Sequence, residues 1–296
     1  MIDHPQTSPC AGYEEACVRA AAMQRLDDAS ILPLAHTTLL EHGAKAPLAV
    51  VLLHGFTNHP GQYRQFAPML HQRGANVFIP RLPEQGDRDR MTRRMKSITA
   101  EQLVATAWEA IDIAQGLGER VAVCGISTSG LLCAYLAQYR SDVARSVPVN
   151  PVFGLLHLPL FVSRTIEGAL LLLPNRFMWW DPRRKTHELP TTGYPRFPTR
   201  GLAQAMRIGD DVRAAAGRKQ MAARTAVMVT NLHDPAVNNT LAQAVAQAWR
   251  ERKPEAVEEY RFRSLPVNHD IIDPENSQPR LDIVYPKLLE LIEATP

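Results

Sequence analysis

Ser127 lies where a predicted strand turns directly into a predicted helix. The preceding residues Val121–Cys124 are apolar, and the turn itself runs Gly125-Ile126-Ser127-Thr128-Ser129-Gly130. A serine at such a turn has an exposed hydroxyl, and the helix behind it offers backbone N–H groups to developing negative charge. The strict motif is G-x-S-x-G, and Ser129 replaces its last glycine here. The pattern predicts that Ser127 is a nucleophile, with a phosphate-binding or structural turn as the alternative.

The residues His54-Gly55-Phe56 end the first predicted core strand and could complete such a site. The glycine allows the loop to fold back, so that the N–H of Phe56 faces the serine, with the N–H of Thr128 as second donor. Two fixed backbone donors aimed at a tetrahedral oxyanion are what acyl transfer requires. His54 could itself be a base or a ligand, but we expect it to orient the loop through hydrogen bonds.

A nucleophilic serine needs a base, and that base needs an orienting carboxylate. His269 follows the last predicted core strand, and Asp234 lies just past the strand before it. Catalytic groups in open α/β sheets gather at the carboxyl ends of the strands. The predicted catalytic residues are therefore Ser127, Asp234 and His269.

Three nearby polar residues are weaker candidates for the acid or the base. Asp270 is adjacent to His269 in sequence and is expected to point away and cap the local loop. Asn150 ends another predicted strand but carries no charge with which to stabilise an imidazolium. His233 is a rival base that we expect to be a pocket or loop residue.

Short apolar runs alternate with longer helical patterns along most of the chain. Strands are predicted at Leu48–Leu53, Asn76–Ile79, Arg120–Cys124, Arg145–Val149, Ala226–Thr230 and Glu258–Arg263. Helices are predicted at Gln62–Arg73, Thr99–Gln115, Leu131–Tyr139, Thr240–Arg252 and Leu281–Glu293. This alternation predicts an α/β fold with a mostly parallel sheet covered by helices on both faces.

One stretch, Asn150 to Gly217, interrupts the alternation and carries no convincing strand pattern. A leucine-rich helical pattern is followed by Phe177-Met178-Trp179-Trp180 and then by the proline-rich run Tyr194–Pro198. A stretch of this length between two core strands is typical of an inserted cap, with a pair of crossover helices as the alternative. We expect residues 1–149 and 218–296 to form the core and residues 150–217 to form a cap.

Composition and charge limit the classes of function. The chain has 296 residues, 45% of them hydrophobic and 21% charged, which excludes a disordered, collagen-like or coiled-coil protein. The net charge of +3 is close to balance, and the densest basic run, Arg88 to Lys96, also contains Asp89. We therefore interpret that run as a solvated surface and expect no nucleic-acid partner.

Cofactor, metal and membrane motifs are missing from the sequence. No H-E-x-x-H motif occurs, no G-x-G-x-x-G follows a strand, and no pair of cysteines has C-x-x-C spacing. We expect no cofactor, no metal and no disulfide framework. The apolar stretch Val152 to Leu173 contains Arg164 and Glu167, so no integral membrane segment is expected. The first thirty residues show no signal-peptide pattern, and a cytoplasmic location is predicted.

Together these motifs resemble the α/β-hydrolase superfamily, and most of all its serine carboxylesterase and monoacylglycerol-lipase-like branch. The resemblance runs from about Leu48 to the C-terminus. It rests on His54-Gly55-Phe56, Gly125–Ser129, Asp234 and His269, in the shared order nucleophile, acid, base.

The resemblance implies an α/β-hydrolase fold: a mostly parallel eight-stranded sheet flanked by helices, with one antiparallel pair and an inserted helical cap. Residues around Leu32 to Leu40 would supply the early strands. Two departures stand out: Ser129 replaces a glycine, and Pro83-Glu84-Gln85-Gly86 replaces the P-G-H-G of many relatives.

The expected activity is cleavage of short- to medium-chain carboxylic esters or monoacylglycerol-like substrates by a serine hydrolase. The partner is then a small-molecule ester, and the sequence predicts no oligomeric state. The alternatives are a thioesterase, lactonase, amidase or haloperoxidase with the same serine, or a catalytically silent binding scaffold. The cap would supply an apolar acyl pocket, for which the candidates are Leu155, Phe161, Leu171, Phe177 and Trp180. These side chains could equally pack the cap onto the core.

Overall fold

A central sheet crosses the computed structural model, which describes residues 2–155, 158–182, 193–276 and 278–295. The strands, in chain order, are β1 (Thr38–Leu40), β2 (Ala46–Leu53), β3 (Asn76–Ile79), β4 (Gly118–Ile126), β5 (Arg145–Val149), β6 (Phe177–Trp179), β7 (Arg196–Pro198), β8 (Thr225–Asn231) and β9 (Val257–Phe262). Seven of them form the sheet in the order β1-β3-β2-β4-β5-β8-β9. All neighbours in it are parallel except β1 and β3.

The expected class, a mostly parallel α/β sheet with one antiparallel pair, is confirmed. The resemblance implies eight strands, however, and the described residues form a sheet of seven. The difference arises between Leu32 and Leu40, where Pro33 begins a short 3-10 helix and only β1 pairs with the sheet. Proline has no N–H to donate to a strand ladder, so the extended pairing starts late in this segment.

The central strands are buried on both faces because they are apolar along their length. In β2, Ala49, Val51 and Leu53 belong to one hydrophobic core, and Val50 and Leu52 belong to the other. This alternation follows from the two-residue period of a strand. Within the sheet β2 and β4 run side by side and end together, so the loops that follow them meet at one edge.

Helices cover both faces of the sheet. The described α-helices are α1 (Tyr13–Gln24), α2 (Phe66–Gln72), α3 (Ala100–Leu117), α4 (Thr128–Tyr139), α5 (Leu160–Leu172), α6 (Thr199–Ala216), α7 (Asn239–Arg250) and α8 (Leu281–Glu293). Short 3-10 helices lie at Pro33–Ala35, Pro60–Tyr63, Arg94–Ser97 and Pro254–Ala256. Helices α2 and α8 pack on one face, whereas α1, α3, α4, α6 and α7 contribute to the core on the other.

Two helices differ from the sequence pattern. The predicted helix Gln62–Arg73 is divided, because a 3-10 turn that starts at Pro60 ends before α2 begins at Phe66. Helix α1 is not predicted at all. It buries only the small side chains of Ala16 and Ala20, so its apolar periodicity is weak.

The stretch between β5 and β8 contains α5, the antiparallel pair β6–β7 and α6. No strand is predicted here, and β6 and β7 are only three residues each, too short for a pattern. Helix α6 packs against α4, where Gly209 lies close to Leu131. Within the described ranges, no helix has both the length and the apolar character to cross a membrane.

Candidate active site

Ser127 occupies a strained turn between β4 and α4, with φ of 63° and ψ of −118°. Residues other than glycine rarely adopt a positive φ, so the surrounding structure must hold it. The Ser127 N–H donates to the carbonyl of Val149 at 2.9 Å. Glycine is needed on both sides. A Cβ at Gly125 would lie 2.8 Å from the Ser129 carbonyl oxygen, and one at Gly130 would lie 2.8 Å from the Val149 carbonyl oxygen.

Ser129 fills the position where the strict motif has glycine. Its side chain is fully buried, and its hydroxyl donates a hydrogen bond to the carbonyl of His54. The methylene of Ser129 lies against Gly125, whose missing side chain leaves the necessary room. The substitution therefore links the turn around Ser127 to the loop that follows β2.

His54 joins that loop to a second backbone segment. Its Nδ1–H donates to the carbonyl of Gly55 at 3.0 Å, and its Nε2 accepts from the N–H of Leu82 at 3.0 Å. Burial lowers the pKa of His54 to about 3, so the ring is neutral and Nε2 can accept. The prediction that His54 orients the loop is confirmed.

Hydrogen bonds hold the loop after β2 on either side of Phe56. The N–H of Gly55 donates to Gln62 Oε1 at 2.8 Å, and the N–H of Thr57 donates to Gln85 Oε1 at 2.7 Å. Both glutamine side chains are fully buried, which fixes the two acceptors in place. The peptide that carries the Phe56 N–H is thus held by its neighbours.

The N–H groups of Phe56 and Thr128 have no acceptor among the described residues. Thr128 is the first residue of α4, and N–H groups in the first turn of a helix have no partner within it. Phe56, Thr128 and Ser127 line one cavity. Two backbone donors are therefore available beside the serine, at the positions predicted for an oxyanion site.

His269 and Asp234 are in direct contact beyond the ends of β9 and β8. Nδ1 of His269 lies 2.7 Å from Oδ2 of Asp234, and the buried Oδ1 accepts the N–H groups of Ala236 at 2.8 Å and Val237 at 3.2 Å. Burial lowers the pKa of His269, but the hydrogen bond and charge of Asp234 outweigh it and hold the pKa above its usual value. This contact directs the proton of the neutral ring to Nδ1 and leaves Nε2 as a proton acceptor.

Asp270 has the local role predicted for it. Its Oδ1 accepts the N–H groups of Ile272 at 3.1 Å and Asp273 at 3.0 Å. Its Oδ2 accepts from Gln62 Nε2 at 2.7 Å, so one glutamine joins the loop after β9 to the loop after β2. Burial, followed by the charge of Asp273, raises the pKa of Asp270.

Asn150 and His233 form hydrogen bonds to the loop after β9. Asn150 Nδ2 donates to the carbonyl of His269 at 2.9 Å, and its Oδ1 accepts the N–H of Asn231 at 2.7 Å. His233 Nδ1 bonds the carbonyl of Leu265 at 2.8 Å, as expected of a loop residue. The sequence did not predict the role of Asn150, because an amide that holds a backbone carbonyl leaves no motif.

The sequence profile of the Alpha/beta hydrolase family matches residues 50–275 of this chain. That range contains every residue described above as a candidate catalytic group. The chain belongs to the α/β-hydrolase family. Its fold and its expected hydrolase class are thereby confirmed.

Relatives of this hydrolase include lipolytic enzymes. The thermostable monoacylglycerol lipase of Bacillus sp. (strain H-257) is 26% identical over 177 residues, which are 60% of this chain and 68% of that protein. The monoacylglycerol lipase of Paleococcus ferrophilus has a similar fold, with a TM-score of 0.64, 17% identity and coverage of 87% of this chain and 98% of that one. A structure from work on the metagenome-derived lipolytic enzymes LipS and LipT also has a similar fold. Its TM-score is 0.66 and its sequence identity is 18%, and the match covers 88% of this chain and 98% of that one.

The hydrolase has a cavity of about 300 Å³ directly beside Ser127. Its surface is mostly apolar, and the residues that line it are Gly55, Phe56, Thr57, Asn58, Gln62, Ile126, Ser127, Thr128, Val152, Leu155, Trp180, Gly193, Tyr194, Leu202, Ala236, Val237, His269 and Asp270. Loops after β2, β4, β8 and β9 supply one side of it. Residues between β5 and β8 supply much of the other.

The predicted pocket residues are divided between this cavity and the surface. Leu155 and Trp180 line it, whereas Phe161, Leu171 and Phe177 are not among the described lining residues. Phe161 is 72% exposed, and the ring of Phe177 lies 4.4 Å from the guanidinium of Arg196. The sequence shows which residues are apolar but not which way α5 and β6 face, so the lining could not be predicted fully.

Proposed function

We propose that this hydrolase cleaves carboxylic esters through a Ser127–His269–Asp234 triad and an acyl-enzyme intermediate. The observation that carries the proposal is the 2.7 Å contact between His269 Nδ1 and a buried Asp234, in the loops at the same sheet edge as Ser127. His269 and Ser127 also line one cavity. A base oriented by a buried carboxylate beside a serine in a strained turn is suited to nucleophilic catalysis.

In the proposed reaction, the hydroxyl of Ser127 attacks the ester carbonyl while Nε2 of His269 takes its proton. The negative charge of Asp234 stabilises the imidazolium that results. The carbonyl oxygen becomes an oxyanion, and the N–H groups of Phe56 and Thr128 donate to it. Collapse of the intermediate expels the alcohol, which takes the proton from His269. Water, deprotonated in turn by His269, then releases the acid and regenerates Ser127.

The proposed substrates are short- to medium-chain acyl esters or monoacylglycerol-like esters. The cavity supports this class, because most of its surface is apolar and can bury an alkyl chain. The relative from Bacillus sp. (strain H-257) is named a monoacylglycerol lipase, which points in the same direction.

We further propose that residues 150–217 act as a cap over the pocket. Leu155, Trp180, Gly193, Tyr194 and Leu202 belong to this stretch and line the cavity. Its last helix, α6, also packs against α4, so the proposed cap is joined to the core over a broad surface. The cytoplasmic location and the small-molecule ester partner remain predictions, which cell fractionation and substrate assays would test.

A serine-selective fluorophosphonate probe tests the nucleophile. The wild-type enzyme should be labelled on Ser127, and Ser127→Ala should lose labelling together with at least about 10³-fold of its esterase activity. Ser146→Ala is the control, since Ser146 is a fully buried serine that donates to the Cys133 carbonyl away from the cavity. Equal labelling of the wild type and Ser127→Ala would refute the assignment.

A substrate panel tests the reaction class. Nitrophenyl esters of rising chain length, an acyl-CoA thioester, a lactone and an amide should be compared under the same conditions. The proposal predicts the highest kcat/KM on an ester. Higher values on another acyl compound would move the enzyme to the thioesterase, lactonase or amidase class, and no turnover at all would favour a binding scaffold.

A further inference from the structure

Thr57 directly follows Phe56, whose N–H is one of the two donors proposed for the oxyanion. Its φ of 67° lies in the left-handed region, where β-branched residues are rare. A backbone in this conformation persists only where the surrounding structure holds it. The contacts of Thr57 therefore decide how the neighbouring Phe56 peptide is oriented.

Three hydrogen bonds hold Thr57, and two of them come from the proposed cap. The Thr57 N–H donates to Gln85 Oε1 at 2.7 Å. Its carbonyl accepts the N–H of Tyr194 at 2.7 Å, and its Oγ1 accepts the indole Nε1–H of Trp180 at 2.9 Å. Backbone and side chain of this residue are thus both fixed from the cap side.

The same two cap residues are part of the pocket surface. Trp180 and Tyr194 line the cavity, and the Trp180 indole packs on the ring of Phe197 with 4.1 Å between centroids. The Tyr194 hydroxyl accepts the N–H of Asp87 at 2.7 Å, which anchors that side of the cap. A substrate that fills the pocket against Trp180 therefore touches a residue bonded directly to the oxyanion loop.

We propose that Thr57 is a positioning residue, through which Trp180 aligns the N–H of Phe56 with the oxyanion. The inference rests on the proposed function, because it requires an oxyanion to form beside Ser127. Hydrogen bonds weaken steeply with misalignment, and donors of this kind stabilise the transition state more than the bound ester. Loss of the indole bond should therefore lower kcat and change KM little.

The central experiment is a double-mutant cycle between Trp180→Phe, which keeps an aromatic ring, and Thr57→Val, which keeps the branched shape. Each single variant should lower kcat on a short ester by about tenfold, with KM within about twofold of the wild type. The double variant should be no slower than either single one, because both remove the same bond. Thr57→Ser, which keeps the hydroxyl, should recover most of the activity.

A second readout separates oxyanion alignment from general loosening of the cap. The Ser127 hydroxyl adds to the carbonyl of an alkyl trifluoromethyl ketone and forms a hemiketal oxyanion. In each variant, the inhibition constant of this ketone should therefore rise by the same factor by which kcat falls. Met178→Leu is the control, since Met178 lies on β6 two residues before Trp180 but is exposed and outside the cavity lining. That variant should keep wild-type kcat and inhibition.

The outcomes separate this inference from the proposed function. If Ser127→Ala abolishes hydrolysis but Trp180→Phe keeps wild-type kcat, or changes KM alone, the positioning role is wrong and the triad stands. Additive losses in the double variant would also overturn the positioning role. If Ser127→Ala keeps full activity, the proposed function itself is wrong. Should Thr57→Val fail to fold, Trp180→Phe with the trifluoromethyl ketone still decides the question.

Discussion

The two walls of the pocket are built in different ways. The core wall, formed by residues 55–58, 62, 126–128, 236–237 and 269–270, contains polar groups that are held in place by hydrogen bonds, such as those of Gly55 to Gln62 and of His269 to Asp234. The cap wall is largely apolar and is formed by Val152, Leu155, Trp180, Gly193, Tyr194 and Leu202. Under the proposed function, we infer that the core wall sets the geometry of the reaction, whereas the cap wall sets which acyl chain fits. Changes in the core wall should therefore act on kcat. Changes in the cap wall should act mainly on KM, except at Trp180, whose indole N–H bonds Thr57 in the core wall.

The largest effect within the core wall is expected from Asp234→Asn. The amide can no longer stabilise the imidazolium or select the correct tautomer of His269, so kcat should fall by about 10³- to 10⁴-fold. Asp211→Asn is the control, because Asp211 is a buried carboxylate that bonds Ile2 and Tyr139 instead of His269. Steady-state kinetics of both variants decide the matter. An equal loss in the two would mean that Asp234 has no special role.

A smaller loss is expected from Ser129→Ala, which removes the bond between the turn and the loop after β2. The two proposed oxyanion donors would then be less well aligned, and kcat should fall by about tenfold with little change in KM. Ser146→Ala removes a similar buried hydroxyl bond, made to Cys133. Thermal unfolding should show comparable losses of stability in the two variants. If kcat falls equally in both, the link through Ser129 does not serve alignment.

The pH dependence of kcat/KM should report the base. Because Asp234 holds the pKa of His269 above the ordinary histidine value, the acidic limb should have its midpoint above that value. Below the midpoint His269 is protonated and cannot accept the serine proton, so kcat/KM should fall about tenfold per pH unit. In Asp234→Asn, burial lowers the pKa of His269 without the opposing charge of Asp234. The midpoint of the acidic limb should therefore move to lower pH. His233→Gln should leave the profile in place, and a midpoint at or below the ordinary value would contradict the role of Asp234.

The smallest effect is expected in the cap wall, from Leu202→Val. Loss of one methylene weakens apolar burial by ~0.8 kcal/mol, which should raise KM for a chain that reaches it by about fourfold. Acetate esters, too short to reach the cap wall, should be affected less, and kcat should be nearly unchanged. Ile208→Val is the matched control on the same helix, because Ile208 is buried but does not line the cavity. A loss of kcat in Leu202→Val would break the division between the walls.

The sheet and its carboxyl edge could be predicted from the sequence because the central strands are short, mostly apolar segments that alternate with longer helical patterns. The predicted strands Asn76–Ile79 and Arg145–Val149 have the observed bounds. Prediction was weaker where a few residues are held by distant partners. Helix α1 and the pair β6–β7 are examples, since packing rather than periodicity stabilises them.

Within the candidate site, the sequence indicates the reactive residues but not their supports. Asp234 and His269 are predicted because they follow strands in the expected order, and their contact is as short as that hypothesis requires. Gln62, Gln85 and Asn150 are not predicted as supports. Gln62 bonds a backbone group only seven residues away, whereas Gln85 and Asn150 bond backbone groups that are remote in sequence. None of these contacts follows a spacing rule that the sequence would reveal.

Gly125 and Ser129 share a single small volume, which has a consequence for how this turn can evolve. An alanine at position 125 would place its Cβ 2.8 Å from the Ser129 carbonyl oxygen and 3.0 Å from Cys133 Sγ, and glycine at position 129 would remove neither contact. In a combinatorial library, position 125 should therefore accept only glycine, whereas position 129 should accept glycine, alanine or serine. The bond from Ser129 to His54 is what this chain gains from a side chain on the helix side of the turn.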